Sequence, residues 1–161
     1  MTHKIYITHE TRDKLDKLLI RRVIKAALGA QNVTTPCEIS VLITNDEGIR
    51  AINHEFRDLD NPTDVLSFPC FDFTAGTFDV TDGEIDEATG LLPLGDIVLS
   101  AERLAAQAVE YGSTLERETA YLVIHSVLHL LGYDHIDEGA DKQKMRAREK
   151  EILSQCGYEE I

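Results

Sequence analysis

The sequence predicts a single compact domain of the α/β (α+β) class, with a small central sheet of about four strands packed against several helices. Hydrophobic residues make up 43% of the 161 residues, which is enough for a substantial core. Short segments with strand-like alternation are interspersed with longer segments that have helical spacing. No repeat or linker interrupts the chain, so residues 1–161 are expected to form one domain.

The first half of the chain is predicted to alternate strands and helices. Lys4–His9 and Glu38–Thr44 place apolar residues at every second position, which is typical of half-buried strands. The helix between them has apolar residues at helical spacing, with Thr11 or Asp13 as its N-cap and an end near Gly29. A short helix after the second strand reaches about residue 56. Its candidate caps are Asn45 and Asp46.

Two further strands are predicted in the middle of the chain. Val65–Phe68 is a short strand closed by Pro69, and Asp96–Leu99 is a strand that the chain enters through Gly95. Between them, residues from about 72 to 89 have no clear periodicity and carry acidic side chains without one Lys or Arg. This interval is predicted to be an exposed acidic loop or hairpin.

Three helices are predicted to complete the chain. Ser100 caps the first, which ends near Val109. The second begins with the capping-box sequence Ser-Thr-Leu-Glu at residues 113–116 and runs to about Leu131. This second helix is apolar on most sides, so it is expected to lie at the centre of the domain. The third helix spans roughly Glu138–Cys156.

The charge of the chain limits the kinds of partner it can bind. Its formal net charge of −13 argues against indiscriminate nucleic-acid binding, which depends on Lys and Arg neutralising phosphates. A local basic patch is not excluded by this value. Basic residues concentrate in two predicted helices, at 12–25 and 142–150, where acidic neighbours favour solvated helix faces.

The apolar segments and the cysteines indicate a cytoplasmic protein. No apolar run approaches the roughly 20 residues that cross a bilayer, so no membrane partner is expected. The N-terminus lacks the long apolar segment of a secretory signal. Cys37, Cys70 and Cys156 are scattered and form no CxxC pair, which indicates neither a disulfide framework nor a cysteine zinc site.

The most informative segment is HSVLHLLGYDH at residues 125–135. His125 and His129 lie four positions apart on a predicted helix, so their imidazoles share one face. Gly132 permits a sharp turn, which can bring His135 back towards the first two histidines. Three neutral imidazoles with an open fourth position are the ligand set of a catalytic zinc ion. The segment therefore predicts a metal-dependent hydrolase.

The same segment also matches the zinc signature HExxHxxGxxH of the metzincin peptidases, with one departure. Ser126 stands where those enzymes carry a glutamate general base, and a serine hydroxyl has no basic form at neutral pH. A zinc metallopeptidase is therefore only an alternative. Asp134 is a candidate to accept a hydrogen bond from a metal ligand or to transfer a proton, although it could equally shape the turn after Gly132.

The His125–His135 segment resembles the signature of the bacterial YbeY family of rRNA maturation factors. Two further segments agree with that family: Asn53–Arg57 leading to Pro62–Pro69, and Leu94–Ser100. The three segments occur in the family's order and span nearly the whole domain. Ser126 departs from the glycine that is usual in the family. Both residues are small, so the local packing is expected to survive.

The resemblance implies a single-strand-specific, metal-dependent endoribonuclease. Its expected role is rRNA maturation, notably at the 3′ end of small-subunit rRNA, together with ribosome quality control. The resemblance also implies one zinc ion held by His125, His129 and His135, and an essential arginine at Arg57. A guanidinium is suited to clamp phosphate oxygens through two parallel hydrogen bonds. The expected partners are single-stranded rRNA, the ribosome or its small subunit, and a ribosomal protein or ribosome-associated GTPase.

Two alternatives stay open at this point. The protein could be a non-catalytic, zinc-containing ribosome-assembly factor, although structural zinc usually has four protein ligands and no fourth Cys or His lies near the motif. Asp134 could still close such a site. Arg57 could instead form a surface ion pair with Asp58 or Asp60.

Overall fold

The chain forms a four-stranded mixed sheet with five helices, which confirms the predicted fold class. The structure is a computed structural model that describes residues 3–12, 15–76, 78, 80, 84–134 and 139–158. The strands are β1 (Lys4–His9), β2 (Cys37–Thr44), β3 (Val65–Pro69) and β4 (Leu92–Ser100). The helices are α1 (Lys17–Ala30), α2 (Asp46–Arg57), α3 (Ala101–Glu110), α4 (Leu115–Leu130) and α5 (Ala140–Gln155).

The strands lie in the order β1-β2-β4-β3. β1 pairs with β2 and β2 with β4 in parallel, whereas β3 pairs antiparallel with β4 and forms one edge of the sheet. β4 starts at Leu92, earlier than the predicted Asp96, and its first residues pair with β2 from Cys37 onwards. Pro93 and Gly95 concealed this extension, because both residues are unfavourable in strand interiors.

The start of α1 differs from the sequence prediction. Its N-cap is Asp16, whose carboxylate accepts hydrogen bonds from the backbone N–H groups of the second and third helical residues. Thr11 precedes the helix, and Asp13 lies outside the described residues. The backbone N–H of Leu15 donates to Nε2 of His9 (3.1 Å), which holds this residue in the connection from β1. The helix therefore begins only after Leu15.

The cap of α4 also shifts by one residue, from Ser113 to Thr114. The Thr114 hydroxyl accepts from the backbone N–H of Arg117 at 3.1 Å. Ser113 still belongs to the end of α3, because its N–H donates to the carbonyl of Ala108 after Gly112 has turned the chain at φ +63°. Of the two candidate caps of α2, Asn45 is the cap, and Asp46 is instead the first helical residue. The side chains of Asn45 and Ser100 accept from the backbone N–H groups of their helices as expected.

The core lies on both faces of the sheet. α4 is buried on most sides, as predicted, and contacts α1, α3, α5 and the sheet. On the opposite face Ile49 of α2 packs against Leu66 of β3 and Val98 of β4. α5 begins at Ala140, within two residues of the predicted Glu138, which lies outside the described residues. In the described part of the chain, no helix combines the length and apolar character needed to cross a membrane.

Candidate active site

The last two turns of α4 bring two histidines together at the floor of a cleft. The Nε2 atoms of His125 and His129 lie 3.1 Å apart, and their rings are nearly perpendicular at 83°. Both side chains are half-buried. They line a cleft of about 720 Å³ between α4 and the edge strand β3. The geometry therefore agrees with the shared helix face that the four-residue spacing predicts.

Hydrogen bonds at the other ring nitrogen orient both imidazoles. Nδ1 of His129 lies 2.9 Å from the carbonyl oxygen of Tyr133, and Nδ1 of His125 lies 2.7 Å from the Glu149 carboxylate. A carbonyl oxygen only accepts, so Nδ1 of His129 carries the proton. The anionic carboxylate favours the same tautomer in His125. In the neutral form of each ring, Nε2 then presents a lone pair to the cleft.

This donor arrangement fits a zinc ion. Two lone pairs that face each other across 3.1 Å repel unless a cation or proton lies between them. Two Zn–N bonds of about 2.05 Å at a tetrahedral angle place their nitrogens about 3.3 Å apart. The predicted third ligand, His135, lies outside the described residues, and among those that are described no group of three His, Cys, Asp or Glu could hold a metal. The three-histidine site stays a prediction.

Gly132 fixes the turn that follows the two histidines. Its backbone has φ +98°, which favours glycine, and a Cβ at this position would overlap the carbonyl oxygen of Phe73. The chain then places Tyr133 so that its carbonyl accepts from His129 while its hydroxyl donates to Gln31 at 2.7 Å. The close packing of Gly132 against Phe73 therefore helps to position the Tyr133 carbonyl that orients His129.

Replacing Gly132 with Ala is expected to destabilise the protein by about 2–4 kcal/mol, because strain at positive φ adds to the overlap with Phe73. Urea unfolding followed by circular dichroism measures this loss. Gly112→Ala is the matched control, since it also has positive φ but no atom within 4 Å of the added Cβ. Equal losses in the two variants would contradict the proposed overlap.

The wall of the cleft opposite α4 consists of β3 and the segment that follows it. Alternate β3 residues face the cleft, and Ser67 is one of them, flanked by Val65 and Pro69. Phe71 and Phe73 continue this wall, with ring centroids 5.9 Å apart. The predicted acidic loop at 72–89 is therefore partly structural, because aromatic side chains within it pack against the core. Residues 77, 79 and 81–83 of this loop lie outside the described part.

Arg57 lies at the rim of the same cleft, at the C-terminal end of α2. Its side chain is exposed, and it forms no ion pair with any residue that the structure describes. The alternative partner Asp60 instead pairs with Arg50, through contacts of 2.8 and 3.2 Å. Asp58 ends the helix in the left-handed conformation. The structure thus brings Arg57 and the two histidines to one cleft.

Asp134 lines the cleft as an exposed side chain. The Nδ1 atoms of His125 and His129 donate instead to the Glu149 carboxylate and to the Tyr133 carbonyl. A role for Asp134 beside His135 stays a prediction.

Sequence reasoning missed Glu149, and one signal could have found it. Glu149 is only 4% exposed and lies on the buried face of α5 with Met145 and Ile152. A carboxylate on an apolar helix face needs a partner, and His125 of α4 is that partner. Tyr121 is a second missed residue of the cleft. Burial, followed by the charge of Glu149, raises the pKa of Tyr121 to about 12.

Ser126 is fully buried on the side of α4 away from the cleft, which agrees with the absence of a peptidase base at this position. Its hydroxyl has no hydrogen-bond partner among the described residues. We expect Ser126→Ala to stabilise the protein by about 1 kcal/mol, because it removes an unsatisfied polar atom and favours the helix. Thermal unfolding measures the change. A lower melting temperature would show that the hydroxyl does have a partner.

Comparisons with known proteins identify the family of the chain. The family model described as endoribonuclease YbeY matches residues 4–157. The endoribonuclease YbeY of Clostridium botulinum (strain Alaska E43) is 47% identical over 161 aligned residues, covering 94% of this chain and 91% of the relative. That of Clostridium acetobutylicum is 49% identical, with 84% of each chain covered.

A solved structure supports the same assignment. The solution structure of TM1509 from Thermotoga maritima superposes with a TM-score of 0.61 at 25% identity, covering 94% of this chain and 88% of that one. The fold is thus shared with a solved protein. The chain belongs to the YbeY family.

Proposed function

We propose that this protein is a zinc-dependent endoribonuclease that cleaves single-stranded RNA in the cytoplasm. The proposed substrate is rRNA, notably the 3′ end of small-subunit rRNA, with a further role in ribosome quality control. The observation that carries this proposal is the convergence of the two Nε2 atoms of His125 and His129 in a cleft that Arg57 also lines. The names of the relatives support RNA as the substrate.

The residues of the cleft have separate tasks in this proposal. His125, His129 and His135 would hold one zinc ion, while Asp134 stands next to the third ligand in the sequence. When bound, zinc supplies Lewis acidity and lowers the pKa of water to about 7. Arg57 binds the phosphate oxygens through a bidentate guanidinium and stabilises the negative charge that develops on them.

Aromatic side chains that line the cleft support a single strand as the substrate. Phe71 and Phe73 present half-buried rings on the β3 side, and Tyr121 presents a third ring on the α4 side. Unpaired bases stack on such rings, whereas bases in a duplex are already stacked on one another. The aromatic walls would therefore hold flanking bases while Arg57 holds the phosphate.

The overall acidity of the chain bears on its partners. The protein has a formal net charge of −13, so it repels naked RNA at long range. We therefore expect a ribosomal protein or ribosome-associated GTPase on the small subunit to recruit the protein. A tight affinity for naked RNA that does not depend on salt would contradict this view.

The decisive experiment uses a labelled single-stranded fragment from the 3′ end of small-subunit rRNA. Zinc-loaded protein is expected to cleave it, a chelator to stop cleavage, and added zinc to restore it. The same fragment annealed to its complement is expected to resist. Absence of cleavage, with zinc still bound and small subunits still captured, would favour a non-catalytic assembly factor. Cleavage of casein in place of RNA would favour a peptidase.

Glu149→Ala is expected to weaken zinc binding by about 10–100-fold, because His125 loses the carboxylate that orients its ring. Competition with a chromophoric chelator measures the zinc Kd. Glu151→Ala is the control, since this acid lies on the same helix but is exposed and pairs with Arg148. An unchanged Kd in a folded Glu149→Ala protein would show that the contact does not support the metal site.

A further inference from the structure

A second groove leaves the cleft at Tyr121 and runs between α4 and α5. It consists of two adjoining cavities of about 270 and 170 Å³, which share Tyr121, Arg146 and Glu149. Tyr121 and His125 also line the main cleft, so the groove is continuous with the candidate active site. We call these two cavities together the α4–α5 groove. Apart from Tyr121, His125 and Glu149, no residue of this groove has a role in the proposed cleavage step.

Three cations of α5 follow this groove. Lys142, Arg146 and Lys150 are spaced by four residues, so they lie on one face of the helix and span about 12 Å. Arg146 and Lys150 are exposed, and Lys142 is half-buried. The opposite wall, from α4, adds Arg117. Four basic residues thus border a groove in a chain whose formal net charge is −13.

The carboxylates within the groove are already engaged. Glu118 is 5% exposed and pairs with Arg117 at 3.3 Å. Glu149 is 4% exposed and binds His125. The lining thus has four cations against two carboxylates, and Arg146 and Lys150 are exposed whereas both carboxylates are buried.

We propose that the α4–α5 groove binds the phosphates of the RNA strand that flanks the cut site. This inference rests on the proposed endoribonuclease function and extends its substrate track beyond the cleft. Tyr121 stands where the groove meets the cleft, and Tyr111 lines the groove as an exposed ring. Cations that follow a backbone, together with rings for stacking, are the components of a single-strand track. An acidic protein segment is the alternative occupant of the groove, but its binding would require neither the tyrosine rings nor the connection to the cleft.

The test compares two triple variants that remove the same charges. K142Q/R146Q/K150Q removes the groove cations. K17Q/R21Q/K25Q removes two lysines and one arginine at the same spacing from α1, none of which lines the cleft or the groove. Circular dichroism and melting temperature confirm that both variants fold. The binding probe is a fluorescent 2′-O-methyl oligouridylate of about 16 nucleotides, and a denaturing gel after each titration checks that it is intact.

Fluorescence anisotropy at about 0.1 M salt is expected to show a 10–100-fold weaker Kd for the groove variant. The slope of log Kd against the logarithm of salt concentration is expected to decrease by about 2. Each phosphate contact of a single strand contributes about 0.7 to this slope, and the variant removes three cations. The α1 variant is expected to bind as the unmodified protein does. The loss in the groove variant is expected to shrink with a probe of about 4 nucleotides, which fills the cleft alone.

Equal losses in the two variants would overturn the proposal, because the effect would then be net charge alone. A groove variant that loses affinity for poly-glutamate but not for RNA would overturn it in favour of an acidic protein partner. Cleavage of unmodified RNA is measured in parallel. If the unmodified protein fails to cleave but the groove-specific binding loss is present, the proposed function fails and the phosphate track stands.

Discussion

His129→Ala is expected to abolish stoichiometric zinc binding and RNA cleavage together. His129 contributes one of the two Nε2 atoms that converge at 3.1 Å, so its loss leaves at most two of the three predicted imidazoles. The expected loss of zinc affinity exceeds the 10–100-fold that is typical of removing a partner outside the ligand set. Zinc content after gel filtration and cleavage of labelled RNA measure the two effects separately.

The control for this variant has to be another histidine. His3 and His9 are unsuitable, because each accepts a backbone hydrogen bond, from Cys37 and Leu15 respectively. His54 is exposed and does not line the cleft, so His54→Ala is expected to keep both zinc and activity.

A second variant separates metal loss from misfolding. The side-chain amide of His129→Asn can still donate to the carbonyl of Tyr133, but it has no nitrogen at the Nε2 position. A folded His129→Asn protein that retains one zinc ion would contradict the role of His129 as a ligand.

Local sequence patterns predict the two histidines at the centre of this site, but they do not predict the residues around them. The i, i+4 spacing of His125 and His129 needs only a helix to bring the rings together, and the apolar composition of α4 predicts that helix. Gly132 likewise indicates a turn, which the structure confirms with a positive φ. Glu149 reaches His125 only because α5 packs against α4, which is a long-range event that no local pattern specifies.

The errors at element boundaries have the same origin. Thr11 and Ser113 are good capping residues by type, yet the N–H groups of Leu15 and Ser113 already donate to His9 and Ala108. These contacts hold the chain before each helix in another conformation, and the helix starts at a later residue. β4 extends further than the sequence predicts because pairing with β2 outweighs the poor strand propensity of Pro93 and Gly95. Tertiary contacts decide each of these cases.

Arg57→Ala is expected to lower kcat/KM for RNA by about 10²–10³-fold while leaving zinc content unchanged. Arg57 lines the same cleft as the histidines, and its loss removes charge stabilisation at the phosphate rather than a metal ligand. Single-turnover cleavage rates and zinc analysis measure the two quantities. Arg50→Ala is the matched control, because Arg50 is an arginine of the same helix that pairs with Asp60.

Arg57→Lys distinguishes recognition of phosphate from a general effect of charge. Arg57 occupies the last turn of α2, where any cation stabilises the helix dipole by about 0.3–1 kcal/mol, so alanine could reduce stability as well as activity. Lysine keeps that charge but lacks the planar fork that grips two phosphate oxygens. We therefore expect Arg57→Lys to unfold like the unmodified protein and still cleave RNA at least 10-fold more slowly. Full activity in Arg57→Lys would mean that position 57 supplies only a positive charge to the cleft.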